Sequence, residues 1–198
     1  MAFPLDHVAL ACTDLKPGTA WLTEMLGVGP GGGGQHPLMG THNRLWSLGP
    51  ADYLELIAID PTAPPPARPR WFGLDRLAGL PASATPQVAG WVVQAPDTTP
   101  APAGSRWETA SRAGLEWRIT IPDSGLMPPG GIAPALIDWG DAAHPASRLP
   151  DTGLRLLRLT LRHPTPLTLP TADPRIVMTT GAPALRATIA TPRGEVTL

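Results

Sequence analysis

The sequence predicts an α+β fold dominated by short strands, with one clear helix near the start and a weak internal repeat. Three observations carry this. Apolar runs of five to eight residues recur along the chain, each bounded by Pro, Gly or Asp. Only residues 15–26 show sustained helical spacing. A β-α-β-β-β order in the first sixty residues returns, without a clear helix, after residue 87.

Leu5 to Cys12 is an apolar run interrupted by His7 and reads as a buried strand. Asp14 then suits a helix cap, with Pro17 in the first turn, where a missing N–H costs little. Trp21, Leu22, Met25 and Leu26 share helical spacing, and Gly27 is a natural stop. Pro30 and Gly31 to Gly34 read as a loop. His42 to Leu48 is a strand, turned back at Gly49-Pro50-Ala51-Asp52 into a second one, Tyr53 to Ile59. One further short strand before His42 completes the first module, about residues 4–60.

Residues 61–86 form a connector. Pro64, Pro65, Pro66 and Pro69 give it an extended course, and Trp71 to Leu80 reads as a short helix. The second module, about 87–147, begins with the strand Val88 to Ala95. Pro100 and Pro102 fall where its helix belongs, so that helix is short or absent. Arg106 to Arg112 and Leu115 to Ile121 form a hairpin around Ala113-Gly114, and Ala135 to Trp139 closes the module. The C-terminal extension, 148–198, adds strand-like runs at 154–162, 175–180 and 185–191, with 194–198 as a last edge. The whole chain, 1–198, is read as a single domain.

Composition bounds the function classes. The chain has 198 residues, 42% hydrophobic and 16% charged, which is enough for a substantial core. A formal net charge of −1 gives no electrostatic reason to expect nucleic acid or an anionic membrane as partner. Cys12 is the only cysteine, so an intrachain disulfide and a cysteine-rich zinc site are excluded. The N-terminal residues lack a basic stretch followed by an apolar run, and no stretch approaches the length that spans a bilayer. A cytoplasmic location follows as the default, as monomer or homodimer.

The set Leu5-Asp6-His7-Val8-Ala9-Leu10, His36-Pro37, Gly40-Thr41-His42-Asn43, Tyr53-Leu54-Glu55-Leu56-Ile57 and Ile137-Asp138-Trp139 followed by His144-Pro145 resembles the glyoxalase-like branch of the vicinal-oxygen-chelate superfamily. The resemblance covers about residues 4–147. It implies tandem βαβββ modules forming a cupped mixed sheet, with a cavity for a small molecule. It also implies a divalent-metal site in which His7, Glu55 and Asp138 are ligands and Glu55 or Asp138 moves a proton. The fourth position fails, because Gly90 aligns opposite His7 and offers no side chain.

Strand alternation tests part of this without the family. Val8, Leu10 and Cys12 share one face of the first strand, and His7, Ala9 and Ala11 the other. Leu54 and Leu56 oppose Tyr53, Glu55 and Ile57 in the same way. If the helix covers the leucine face, His7 and Glu55 meet on the opposite one. One histidine and two carboxylates suit zinc, iron, manganese or nickel. A metal-free His7–Glu55 hydrogen-bonded pair satisfies the same buried carboxylate.

His42 and Arg44 fall on one face of their strand and are candidate substrate contacts, Arg44 through a bidentate grip on an anion. Trp71, with Phe72, is a candidate wall over the cavity. His36 and His144, each before a proline, read as loop-fixing residues. Gly31 to Gly34 lacks the Gly-Lys-Ser/Thr continuation of a phosphate loop, and no nucleophile elbow occurs. Three functions stand open. They are a metal-assisted lyase, isomerase or dioxygenase, a metal-free binding or sequestering protein, and a scaffold.

Overall fold

The computed structural model describes residues 2–198. Twelve strands and one α-helix order along the chain as β1 (Leu5–Ala11), α1 (Leu15–Leu26), β2 (Gly32–His36), β3 (Thr41–Ser47), β4 (Tyr53–Ile59), β5 (Gln87–Gln94), β6 (Ser105–Arg112), β7 (Leu115–Pro122), β8 (Ala135–Asp138), β9 (Arg155–His163), β10 (Ile176–Thr180), β11 (Ala184–Thr191) and β12 (Gly194–Thr197).

The first eight strands make one sheet in the order β2-β3-β4-β1-β5-β8-β7-β6. That order is a palindrome of two modules. In each, the first strand pairs parallel with the last, β1 with β4 and β5 with β8, and the two first strands pair antiparallel at the centre. The sheet curls until its two edge strands, β2 and β6, touch. The concave face thereby becomes a nearly closed cup.

Helix α1 forms as the sequence predicts. Asp14 caps it by accepting from the Lys16 N–H at 2.8 Å, and Gly27 ends it with φ 73°. Gly18 lets the helix lie close to the end of β1, since a Cβ there would sit 2.8 Å from Cys12 Sγ. Leu15, Leu22 and Leu26 pack with Val8, Leu10, Leu54 and Leu56 on the convex face. Each fully buried leucine contributes about 2 kcal/mol of burial.

The second module has no counterpart to α1. Between β5 and β6 the chain runs as turns through Pro100 and Pro102. The C-terminal sheet, β10-β9-β11-β12, covers the convex face instead, where Leu156, Leu159, Leu161, Ala187 and Ile189 join the cluster of Trp91 and Val93. The tail thus replaces the missing helix.

Two expectations need correction. The glycine run is not a loop, because Gly32 to Gly34 already pair with Leu45, Arg44 and Asn43 as β2. Gly33 is the position that requires glycine, with φ 149° and no room for a Cβ against the Asn43 carbonyl oxygen, whereas Cβ atoms on Gly32 and Gly34 would press on the Leu149 and Arg112 side chains, at 2.9 and 2.6 Å. Trp71 to Leu77 is a 3-10 segment broken by Phe72 (φ 55°) and Gly73 (φ 66°), not a regular helix. A left-handed conformation at a phenylalanine costs on the order of 1 kcal/mol and ends helical propagation.

Candidate functional site: the aromatic cup

The cup is built where β1 and β4 lie side by side. His7 pairs in register with Tyr53 and Ala9 with Glu55, so His7 and Glu55 project from neighbouring strands onto one face. His7 Nε2 lies 3.4 Å from Glu55 Oε2, with both side chains buried. His7 Nδ1 is 2.6 Å from Asp6 Oδ1. Asp6, fully buried, also accepts from Trp139 Nε1 at 2.8 Å and pairs with His144 Nε2 at 3.0 Å. Glu55 Oε1 accepts from Asn43 Nδ2 at 2.6 Å. The Asn43 amide oxygen in turn accepts the Gly34 N–H, tying the glycine strand to the site.

These contacts set the charges. Burial alone would discharge His7, but hydrogen bonds and charge from Asp6 and Glu55 overcome it and push the imidazole up to about 9. Glu55 is drawn down to about 2 against the opposing effect of its burial, first by His7 and then by His36 and Asn43. Asp6 lies well below the usual carboxylate range, with burial again opposed by bonds to His144 and His7. His36, buried without a carboxylate partner, falls to about 4 and is neutral. At neutral pH the cup therefore holds an imidazolium between two carboxylates.

The walls are aromatic. His7, His36, Tyr53, Glu55, Trp71, Phe72, Arg112, Trp117, Ile119, Ile137 and Trp139 enclose a cavity of about 20 Å³. Tyr53 stacks on His7 with ring centroids 4.6 Å apart, and Trp71 meets His36 edge-on at 5.2 Å. The connector crosses the mouth as a roof. Arg70 donates to the Met39 carbonyl at 3.1 Å and pairs with Asp75, and Arg68 pairs with Glu108 on β6 at 2.6 Å. Phe72 also borders a larger outer cleft of about 580 Å³.

Of the residues read from sequence, the structure brings His7, Glu55 and Trp71 together. Asp138 is elsewhere. Its neighbour Ile137 turns into the cup, and Asp138 faces away to accept the Asp97 N–H at 2.7 Å and the Gly140 N–H at 2.8 Å. His42 and Arg44 are also on the wrong face. They share their side of β3 with Trp46, which packs on the helix side, while Asn43 and Leu45 face the cup. His36 and His144 hold loops as expected, His36 through Thr41 Oγ1 at 3.0 Å and His144 through the Ala146 N–H at 3.2 Å. His36 also lines the cup, and His144 meets it through Asp6.

Sequence reasoning missed Asp6, Asn43 and Arg112. Simple alternation sends Asp6 to the side opposite His7, but a pairing irregularity between Leu5 and His7 turns it toward the histidines. Asn43 was legible as a polar residue two positions from Leu45 on one face. Arg112 alternates with Ala110 on β6, so its inward aim was also readable.

Residues 5–173 match the family described as glyoxalase-like domain. The chain belongs to this family. Its doubled sheet is that of the vicinal-oxygen-chelate superfamily, to which the glyoxalase-like domains belong. No curated protein sequence matches the chain. Among solved structures it is similar to methylmalonyl-CoA epimerase from Mycobacterium tuberculosis, at 20% identity over 69% of this chain and 88% of that one, with a TM-score of 0.44. A methylmalonyl-CoA epimerase in complex with methylmalonyl-CoA and NH4+ gives 18%, 73%, 100% and 0.44. A Streptomyces coelicolor methylmalonyl-CoA epimerase variant in complex with 2-nitronate-propionyl-CoA gives 17%, 72%, 100% and 0.44. Likeness at this level says nothing of activity.

The superfamily implies a divalent metal, and the donor set can be tested against it. Among the described residues no three His, Cys, Asp or Glu side chains converge as a metal site. His7 and Glu55 offer two ligands at most, and Asp138 faces away. At the symmetry-related position, a Cβ on Gly90 would meet Phe72 Cδ1 at 2.7 Å, so an aromatic ring fills the space of the missing ligand. The residues present do not fit a divalent metal.

Proposed function

We propose that this glyoxalase-like protein binds a small organic molecule in the aromatic cup without a metal, and that His7 and Glu55 form a structural ion pair. The observation that carries the reading is the closed Asp6–His7–Glu55 arrangement. Asp6 and Glu55 hold His7 in its charged form, raised above the ordinary imidazole range, and a charged imidazole must give up its proton and both carboxylate contacts before it can ligate a metal. A general acid–base couple works best with ionisation near the operating pH, and this pair is displaced far to either side of it. The opposite directions of the two shifts, with the closed contacts around His7, favour binding over metal-assisted lyase, isomerase or dioxygenase chemistry.

The small aromatic cup supports one end of a ligand, and the larger apolar cleft beyond Phe72 supports its flat or apolar body. Metal content by mass spectrometry, after incubation with zinc, iron, manganese and nickel in turn, tests the proposal. We expect well under one equivalent of each. One bound equivalent that disappears in His7→Ala and Glu55→Ala variants would restore the metalloenzyme reading.

A further inference from the structure

We infer that the cup recognises an organic anion, a carboxylate carried on an apolar body, and that Arg112 holds its charged end. This rests on the metal-free binding reading above.

Arg112 is 5% exposed, yet among the described residues its side chain makes no hydrogen bond or ion pair. Its partner is the ring of Trp117, 5.7 Å from the guanidinium carbon. Arg68, Arg70 and Arg118 are matched to the carboxylates of Glu108, Asp75 and Asp97, and the arginines without such a partner, Arg44, Arg76 and Arg158 among them, lie at the surface, whereas Arg112 is buried. The guanidinium keeps some contact with solvent through an open depression lined by Gly34, Pro37 and Leu115, but a charge so little hydrated still gains from an anion. The fold makes room for Arg112, since Gly34 on the facing edge strand leaves space that a Cβ would take from its stem.

Two further donors line the same cavity. The indole N–H groups of Trp71 and Trp117 are buried and have no hydrogen-bond partner among the described residues. The acceptors are already engaged: Asp6 by His7, Trp139 and His144, and Glu55 by His7 and Asn43. What the cavity lacks is therefore an acceptor, and a carboxylate matches a guanidinium fork best. The nearby carboxylates do not forbid it, because the His7 imidazolium stands between them and Arg112 supplies a second cation.

Size divides the ligand in two. About 20 Å³ admits no more than a polar head beside Arg112. The body then lies past Phe72 in the outer cleft, against Leu77, Val88, Leu126, Ile132 and Leu185. Phe72 borders both spaces and must swing aside for one molecule to occupy them.

The test compares 4-phenylbutyrate with its uncharged amide at pH 7, by calorimetry and tryptophan fluorescence on the full chain. The acid is expected to bind about tenfold tighter than the amide. Arg112→Gln should bring the two within about twofold by weakening the acid alone. Trp117→Phe, which keeps a ring and removes a donor, should weaken the acid several-fold and leave the amide unchanged; it serves if Arg112→Gln does not fold. Equal binding of acid and amide, no binding of either, or a preference that survives both variants would overturn the inference. Acid binding that depends on an added metal would instead overturn the metal-free reading beneath it.

Discussion

The phenyl ring of Phe72 occupies the space a side chain at Gly90 would fill, with Phe72 Cδ1 2.7 Å from a Cβ built there. One residue thus removes a ligand position and roofs the cavity. It does so from a left-handed backbone with φ 55°. Phe72→Gly relieves that strain and deletes the ring. We expect binding of 4-phenylbutyrate to become faster, because the passage from the outer cleft opens, with melting temperature changed by only a few degrees. Stopped-flow fluorescence checks this, and an unchanged association rate would remove Phe72 as the barrier.

Stability should peak near pH 6.5. His7 is raised from 6.5 to about 9, so its contribution is complete below 6.5 and is lost as pH rises through 9. His36 is lowered from 6.5 to about 4, so its contribution is complete above 6.5 and is lost as pH falls through 4. Glu55, lowered from 4.5 to about 2, adds a further loss below 4.5. Each limb is worth on the order of 3 kcal/mol. Thermal melts from pH 4 to 9 should show the peak, His7→Gln should flatten the alkaline limb, and His36→Gln the acid one. A profile flat across this range would contradict the assigned charges.

The Asn43–Glu55 hydrogen bond of 2.6 Å is the neutral side of the buried pair. Asn43→Leu leaves the Glu55 carboxylate short of a donor and frees the Gly34 N–H. A loss of about 2–3 kcal/mol is expected by chemical denaturation. Asn43→Asp should be worse still, because it sets a second carboxylate against Glu55. A loss below about 0.5 kcal/mol in both would show that the pair needs no such support.

We propose that residues 1–198 act as one domain, with the tail as a structural part of it. Leu156, Leu159, Leu161, Ala187 and Ile189 are buried against Trp91 and Val93 where the second helix is missing. Ending the chain after Leu149 exposes that apolar face and should yield aggregated or unfolded protein by circular dichroism. A truncated chain that melts cooperatively at the temperature of the full one would refute it.

Alternation made much of the fold readable, because most strands have one face on the helix side and one in the cup. It put His7 and Glu55 together, and prolines 100 and 102 announced the lost helix. It failed where local geometry departs from a plain pleat. The irregularity at Leu5/His7 hid Asp6. His42 and Arg44 were correctly placed on one face, but which face depends on register with β4, where Leu45 rather than Arg44 lies opposite Glu55. Asp138 was carried over from the family pattern, although its apolar neighbours Ile137 and Trp139 already marked it as outward-facing. The glycine strand was unreadable because its cause lies outside it: the Asn43 carbonyl of β3 leaves no room for a side chain at Gly33, and Leu149 and Arg112 crowd its neighbours from other parts of the chain.

The most direct test of the metal-free cup is the side-chain 15N spectrum of His7 at pH 7, before and after one equivalent of zinc. Both ring nitrogens protonated, and unmoved by zinc, is the predicted result. A neutral His7 whose Nε2 resonance shifts on adding the metal would contradict it.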